Sequence, residues 1–88
     1  MSNLIPCCRV YIEPLDHPYD FEEGDYAKAA DGTWWFRPPG GEFGHLKGWT
    51  IVEHEDSTIT VSPSILEYNT NMTPRCHGYL EHGMWRPV

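Results

Sequence analysis

Thr58-Ile59-Thr60-Val61-Ser62-Pro63-Ser64-Ile65-Leu66, and after a polar stretch Cys76-His77-Gly78-Tyr79-Leu80-Glu81-His82-Gly83-Met84-Trp85, carry the pattern that decides the fold. Ile59 and Val61 alternate with Thr58, Thr60 and Ser62, the period of a strand with one dry face. Pro63 has no N–H to give to a ladder, so the strand is expected to end there and lead Ile65 and Leu66 into the core. His82-Gly83 reads as a tight hairpin turn in which glycine supplies a positive φ. That turn sets Leu80 opposite Trp85 and Glu81 opposite Met84, leaving one apolar face.

The same two signals recur outward from this stretch. Asp31-Gly32 is a second turn that, with only two loop residues, places Ala29 opposite Trp34, Ala27 opposite Phe36 and Lys28 across from Trp35. A turn centred on Glu55-Asp56 pairs Val52 with Ile59 and Thr50 with Val61. Cys8 to Glu13 alternates until Pro14 stops it. Pro38-Pro39-Gly40-Gly41 is a turn, Gly44 to Gly48 reads as irregular backbone, and Asn69 to Arg75 as a mobile polar loop. Strands are therefore expected near residues 8–13, 26–30, 33–37, 49–53, 58–62, 78–81 and 84–87, without internal repeats.

Eight Pro and eight Gly break the chain into short pieces, and no window keeps apolar residues at helical spacing for three turns. The expected class is a small all-β domain, mostly antiparallel hairpins in a compact sheet or partly open barrel. Its core is assigned to Trp34, Phe36, Trp49, Ile59, Val61, Ile65, Leu80 and Trp85. Trp85 is the largest group on the apolar face of the C-terminal hairpin and the expected anchor.

The 88 residues allow one modest core and argue against a deep substrate cavity. A net charge of −7, from 13 acidic and 6 basic side chains, repels phosphate backbones and anionic membranes, so direct nucleic-acid or membrane binding is not expected. No run approaches a membrane span, and three cysteines without an apolar leader favour reduced thiols in a cytoplasm over a secreted disulfide scaffold.

Gly32-Thr33-Trp34-Trp35-Phe36, the Pro39-Gly40 turn, Trp49, Thr60-Val61-Ser62-Pro63-Ser64-Ile65-Leu66 and Cys76-His77-Gly78-Tyr79 together resemble a group of small bacteriophage and prophage proteins that share a domain of unknown function. The resemblance spans roughly Asp31 to Trp85. It implies viral origin and residence in a host cytoplasm, with virion association as a further possibility. In many of those relatives the turn after the aromatic strand is a Cys-Pro-x-Cys knuckle of zinc-ribbon type. Here that position reads Arg37-Pro38-Pro39-Gly40, which removes the knuckle thiols.

Cys76-His77 is the pair closest to metal or nucleophile chemistry, yet neighbours in a strand point to opposite faces. His45, Cys76, His77 and one of Cys7 or Cys8 form the best ligand set, without a recognised zinc spacing. Ser62-Pro63-Ser64 is more simply a strand end than a nucleophile. Asp16, Asp20, Glu22, Glu23 and Asp25 form an acidic loop beside Tyr19 and Phe21. With Trp35, the residues Tyr19, Phe21, Glu22 and Glu23 make the expected surface for a host or virion protein. The expected function is a non-enzymatic protein-binding module with no cofactor. The alternatives are a zinc-stabilised ribbon-like module and an acidic, DNA-mimicking inhibitor of a nucleic-acid enzyme.

Overall fold

The alternation that begins at Ile59 does not stop at Pro63. In the computed structural model, which describes residues 4–11 and 21–88, the strands are β1 (Ile5–Pro6), β2 (Cys8–Arg9), β3 (Asp25–Lys28), β4 (Trp34–Phe36), β5 (Gly44–His45), β6 (Thr50–Glu53), β7 (Ile59–Tyr68), β8 (Pro74–Glu81) and β9 (Met84–Pro87). There is no helix among the described residues, and the fold is all-β. The strands form a five-stranded sheet in the order β1-β9-β8-β7-β6 and a four-stranded sheet in the order β2-β3-β4-β5, neither closed into a barrel. Every pairing is antiparallel except β2 with β3.

β7 passes Pro63 by bulging. Val61 pairs with Leu80, but Ile65 pairs with Gly78, so β7 spends four steps where β8 spends two. Two extra residues on one strand keep the side-chain parity, and Ile59, Val61 and Ile65 all face the core while Ser62 and Pro63 bulge into solvent. The Ser62-Pro63 peptide is cis.

Three of the hairpin turns are alike, and two of them, after β3 and after β6, are one residue longer than expected. In Ala29–Thr33, His54–Thr58 and Asn69–Thr73 the first residue's N–H donates to the last residue's carbonyl, each at 2.8 Å. The fourth residue of each, Gly32, Ser57 or Met72, has a positive φ of 88°, 73° or 68°. Before it stands an Asp or Asn whose Oδ1 accepts the N–H of the following Thr, at 2.9 Å for Asp31, 3.0 Å for Asp56 and 3.2 Å for Asn71. These are three-residue loops with a left-handed residue at the bulge position. In the turns after β3 and β6 the extra residue shifts the register by one. Tyr26, not Ala27, lies opposite Phe36, and Lys28 faces Trp34, not Trp35. Likewise Ile51 pairs with Val61 and Glu53 with Ile59. What was read as the mobile loop 69–75 is such a turn followed by the start of β8. The His82-Gly83 turn, with φ of 49° and 74°, has the expected register, Leu80 opposite Trp85 and Glu81 opposite Met84.

The expected first strand, 8–13, is divided. Residues 5–6 pair with β9 and residues 8–9 with β3, so the chain changes sheets at Cys7. Hydrogen bonds fix the crossing: Cys7 N–H donates to the Gly83 carbonyl at 2.8 Å and Cys8 N–H to the Gly24 carbonyl at 3.0 Å. Ile12 and Glu13 lie outside the described residues.

The inner faces of the two sheets share one core of Tyr26, Trp34, Phe36, Leu46, Ile59, Val61, Ile65, Leu80 and Trp85, with Trp49 packed half-buried against it. Tyr26 and Leu46 are core residues that the expected pattern missed; Tyr26 sits there because of the register shift. Trp85 is 2% exposed, and its ring lies 5.7 Å from that of Phe36 in the opposite sheet. A Cβ on Gly78 would fall 2.5 Å from the Trp85 ring, so this glycine makes room for the indole.

Candidate functional site

The Pro-rich turn after β4 is held by side chains. Arg37 donates from Nη1 to the Phe21 carbonyl at 2.9 Å and from Nε to the Gly41 carbonyl at 3.3 Å. The Glu23 carboxylate accepts the Gly40 N–H, and Asp25 Oδ2 accepts the Glu22 N–H at 2.9 Å. The Arg37 guanidinium and the Glu23 carboxylate thus tie residues 21–25 to residues 37–41, while the Asp25 carboxylate closes the turn at residues 22–25.

This changes the acidic surface that was expected to bind a partner. Phe21 is 4% exposed and packs on Phe43 at 6.2 Å between ring centroids, so it belongs to the scaffold. Glu22 and Glu23 are exposed, but Glu23 is already engaged by Gly40. Tyr19 lies outside the described residues. Trp35 is half-buried on the outer face of β4, with Phe43 at 5.3 Å and His45 edge-on at 5.8 Å. The four-stranded sheet therefore has aromatic rings on both faces.

His45, Cys76 and His77 are not brought together. His45 stacks on Trp35, His77 Nε2 is 3.0 Å from Ser64 Oγ, and Cys76 lies beside Glu67 on the other face of β8. No three His, Cys, Asp or Glu side chains are grouped to hold a metal ion among the described residues. Burial, then the charge of Glu67, pushes the Cys76 thiol up to about 11, and burial pushes Cys7 up to about 12. Both thiols are protonated at neutral pH and are weak nucleophiles there.

A cleft of about 120 Å³ opens between residues 42–49 and the distal half of β7. Phe36, Phe43, His45, Leu46, Trp49 and Ile65 supply its apolar wall, and Glu42 and Glu67 its carboxylates. Trp49 is oriented by its Nε1–H, which donates to the Ser64 carbonyl at 3.2 Å in the β7 bulge. Glu67 Oε1 accepts the Glu42 N–H at 3.0 Å, and Glu42 pairs with Arg75 at 2.9 Å. Phe43 and His45 belong both to this cleft and to the Trp35 stack, which makes one continuous aromatic surface. Sequence offered no route to the cleft, because Gly44-His45 had been read as irregular backbone and is instead β5, paired with β4.

Cations are consumed internally. Arg9 reaches Glu53 at 2.8 Å while lying over Trp34 at 4.9 Å, Lys28 reaches Glu53 at 3.9 Å, and Arg86 reaches Glu81 at 3.1 Å. With Arg37 on backbone carbonyls and Arg75 on Glu42, Lys47 is the one Lys or Arg among the described residues whose charged group makes no ion pair or hydrogen bond. At the far end of β6, the His54 and His82 rings stack at 3.8 Å, bringing two turns together.

No family model, curated protein or solved structure matches this chain. No helix among the described residues is long and apolar enough to cross a membrane.

Proposed function

We propose that this chain is a small, non-enzymatic protein-binding domain of phage type that engages a host or virion protein. One observation carries the reading: a continuous aromatic surface, Trp35-Phe43-His45 and the cleft behind it, set in a molecule whose described Lys and Arg side chains, Lys47 excepted, are engaged by carboxylates or carbonyls. Aromatic rings supply contact area at small entropic loss, and surplus negative charge selects a basic partner and speeds the encounter. The cleft is of a size for one inserted side chain, and Glu67 at its wall favours a cationic one.

The structural use of the carboxylates weighs against an array that imitates DNA. Asp31, Asp56, Glu23 and Asp25 accept backbone N–H groups, and Glu42, Glu53 and Glu81 sit beside cations. The test is an affinity capture from bacterial lysate with the wild-type chain and with Trp35→Ala. A basic protein is retained by the wild type and lost with the variant while thermal melting is little changed. Equal capture by both chains refutes the assignment of this surface.

A further inference from the structure

We infer that β6 is a strand-addition site, taking an extended segment of a partner protein that carries a large apolar side chain beside a Lys or Arg. The inference rests on the protein-binding reading above, but it names a different surface.

β6 is the edge of the five-stranded sheet and pairs with β7 alone. His54 N–H bonds the Thr58 carbonyl at 2.8 Å, so the hydrogen-bonded pairs alternate back along the ladder at Val52–Thr60 and Thr50–Ser62. The N–H and C=O groups of Ile51 and Glu53 then point away from β7, and no strand among the described residues takes them. Exposed edges are commonly blunted by Lys, Pro or a bulge. Thr50-Ile51-Val52-Glu53 contains none of these, its one charge, Glu53, is paired with Arg9, and Val52 stands 50% exposed at its middle.

The second observation is a groove of about 300 Å³ beside this edge, lined by Trp34, Leu46, Trp49 and Ile51 with Asp31 and Lys47 among its polar groups. Residues directly opposite one another in a sheet point to the same face. A residue added opposite Ile51 therefore points into the groove that Ile51 lines, and its neighbour opposite Val52 lies on the outer face with Val52. Backbone pairing supplies affinity and the groove supplies side-chain choice, the usual division of labour in strand addition. Charge decides the occupant. Two copies of a chain of net charge −7 repel one another, whereas the exposed Glu55 and Asp56 just beyond β6 attract a basic flank.

The experiment pans displayed random ten-residue peptides against the full chain, then measures the selected synthetic peptides by fluorescence anisotropy. Selected sequences should place apolar residues at alternate positions beside Lys or Arg. Val52→Lys, at an exposed position, should weaken their binding about tenfold or more, and Tyr68→Lys, exposed on the distant end of β7, should change it less than about twofold. Selection without a period of two, or unchanged binding by Val52→Lys, overturns the inference. A wild-type dimer in sedimentation that Val52→Lys dissociates also overturns it, since a second copy then owns the edge. If the lysate partner is captured equally by Val52→Lys and no peptide is selected, the strand-addition site falls while the protein-binding reading stands. A chain that captures neither protein nor peptide loses both.

Discussion

The His82-Gly83 turn and the three Asx-x-Thr turns reverse the chain equally well, but they depend on different things. Asp31, Asp56 and Asn71 close their own loops, each accepting from a Thr two residues on, and nothing beyond the loop is needed. His82-Gly83 is held from outside: Gly83 N–H donates to the Ile59 carbonyl at 3.0 Å, Cys7 N–H donates to the Gly83 carbonyl at 2.8 Å, and the His82 N–H donates to Thr60 Oγ1 at 3.0 Å. A self-contained turn sets register locally and tolerates change, whereas a tethered turn transmits damage to every strand that holds it. The C-terminal hairpin is part of the core, and the other three turns are its outworks.

The largest expected effect tests the core side of that contrast. Trp85→Ala removes the ring that joins the two sheets and should cost about 3 to 5 kcal/mol in denaturant unfolding, a large share of the stability of a small domain. Gly78→Ala should be damaging for the converse reason, since its Cβ has no room beside that ring, and overpacking of this kind costs about 1 to 3 kcal/mol. A Trp85→Ala chain that melts like the wild type would show the hairpin to be peripheral.

Next comes a direct comparison of turns. Gly83→Ala places a Cβ at φ 74° and 3.1 Å from both Thr58 Cγ2 and the Tyr26 hydroxyl. It should destabilise by about 1 to 2 kcal/mol from the left-handed backbone alone. Met72→Gly, at φ 68° in an exposed turn, should do the opposite and raise stability by up to about 1 kcal/mol. Effects of the same sign in both variants would dissolve the distinction.

The smallest effect is electrostatic. Hydrogen bonds from Thr33 hold the Asp31 carboxyl below its ordinary range, and those from the Thr58 side chain and backbone do the same for Asp56. A depressed folded-state pKa means that the ionised form is favoured by folding. The stabilisation is present above the unfolded value of about 4 and is lost as pH falls through the lower folded value. Asp31→Asn with Asp56→Asn should flatten the acid limb of a stability-against-pH curve, leaving the neutral region nearly level because Asn71 shows that an amide closes the same loop. An acid limb as steep as the wild type's would place the linkage elsewhere.

Class and strand positions were legible because Ile59-x-Val61 and Leu80 through Trp85 state their alternation openly. Register was legible at His82-Gly83 and misread at Asp31-Gly32 and Glu55-Asp56. Asp-Gly serves a two-residue loop and a three-residue loop equally well, and the discriminating sign was the Thr that follows. It was available three times, in Asp31-Gly32-Thr33, Asp56-Ser57-Thr58 and Asn71-Met72-Thr73, and its recurrence was the repeat that went unnoticed. The misreading had two consequences, hiding Tyr26 from the core and pairing Val52 with the core-facing Ile59 when it lies opposite Thr60 on an open edge. The cleft was illegible for a different reason. It joins residues 36–49 to residues 65–67 across the two sheets, and local pattern carries no record of which distant faces meet.

The change of sheets at Cys7 has a temporal meaning. Ile5 pairs with Trp85, so β1 has no partner until every other strand of the fold has been made. While the ribosome still holds residues 84–87, the four-stranded sheet already has β3, β4 and β5 to assemble, but the five-stranded sheet lacks both β9 and the strand that seals β9's outer side. The segment 5–9 then closes like a zip from both sides at once, one half onto β9 and the other onto β3. The pairing of β1 with β9 spans the longest stretch of chain in either sheet, and a contact of that separation is among the costliest in loop-closure entropy.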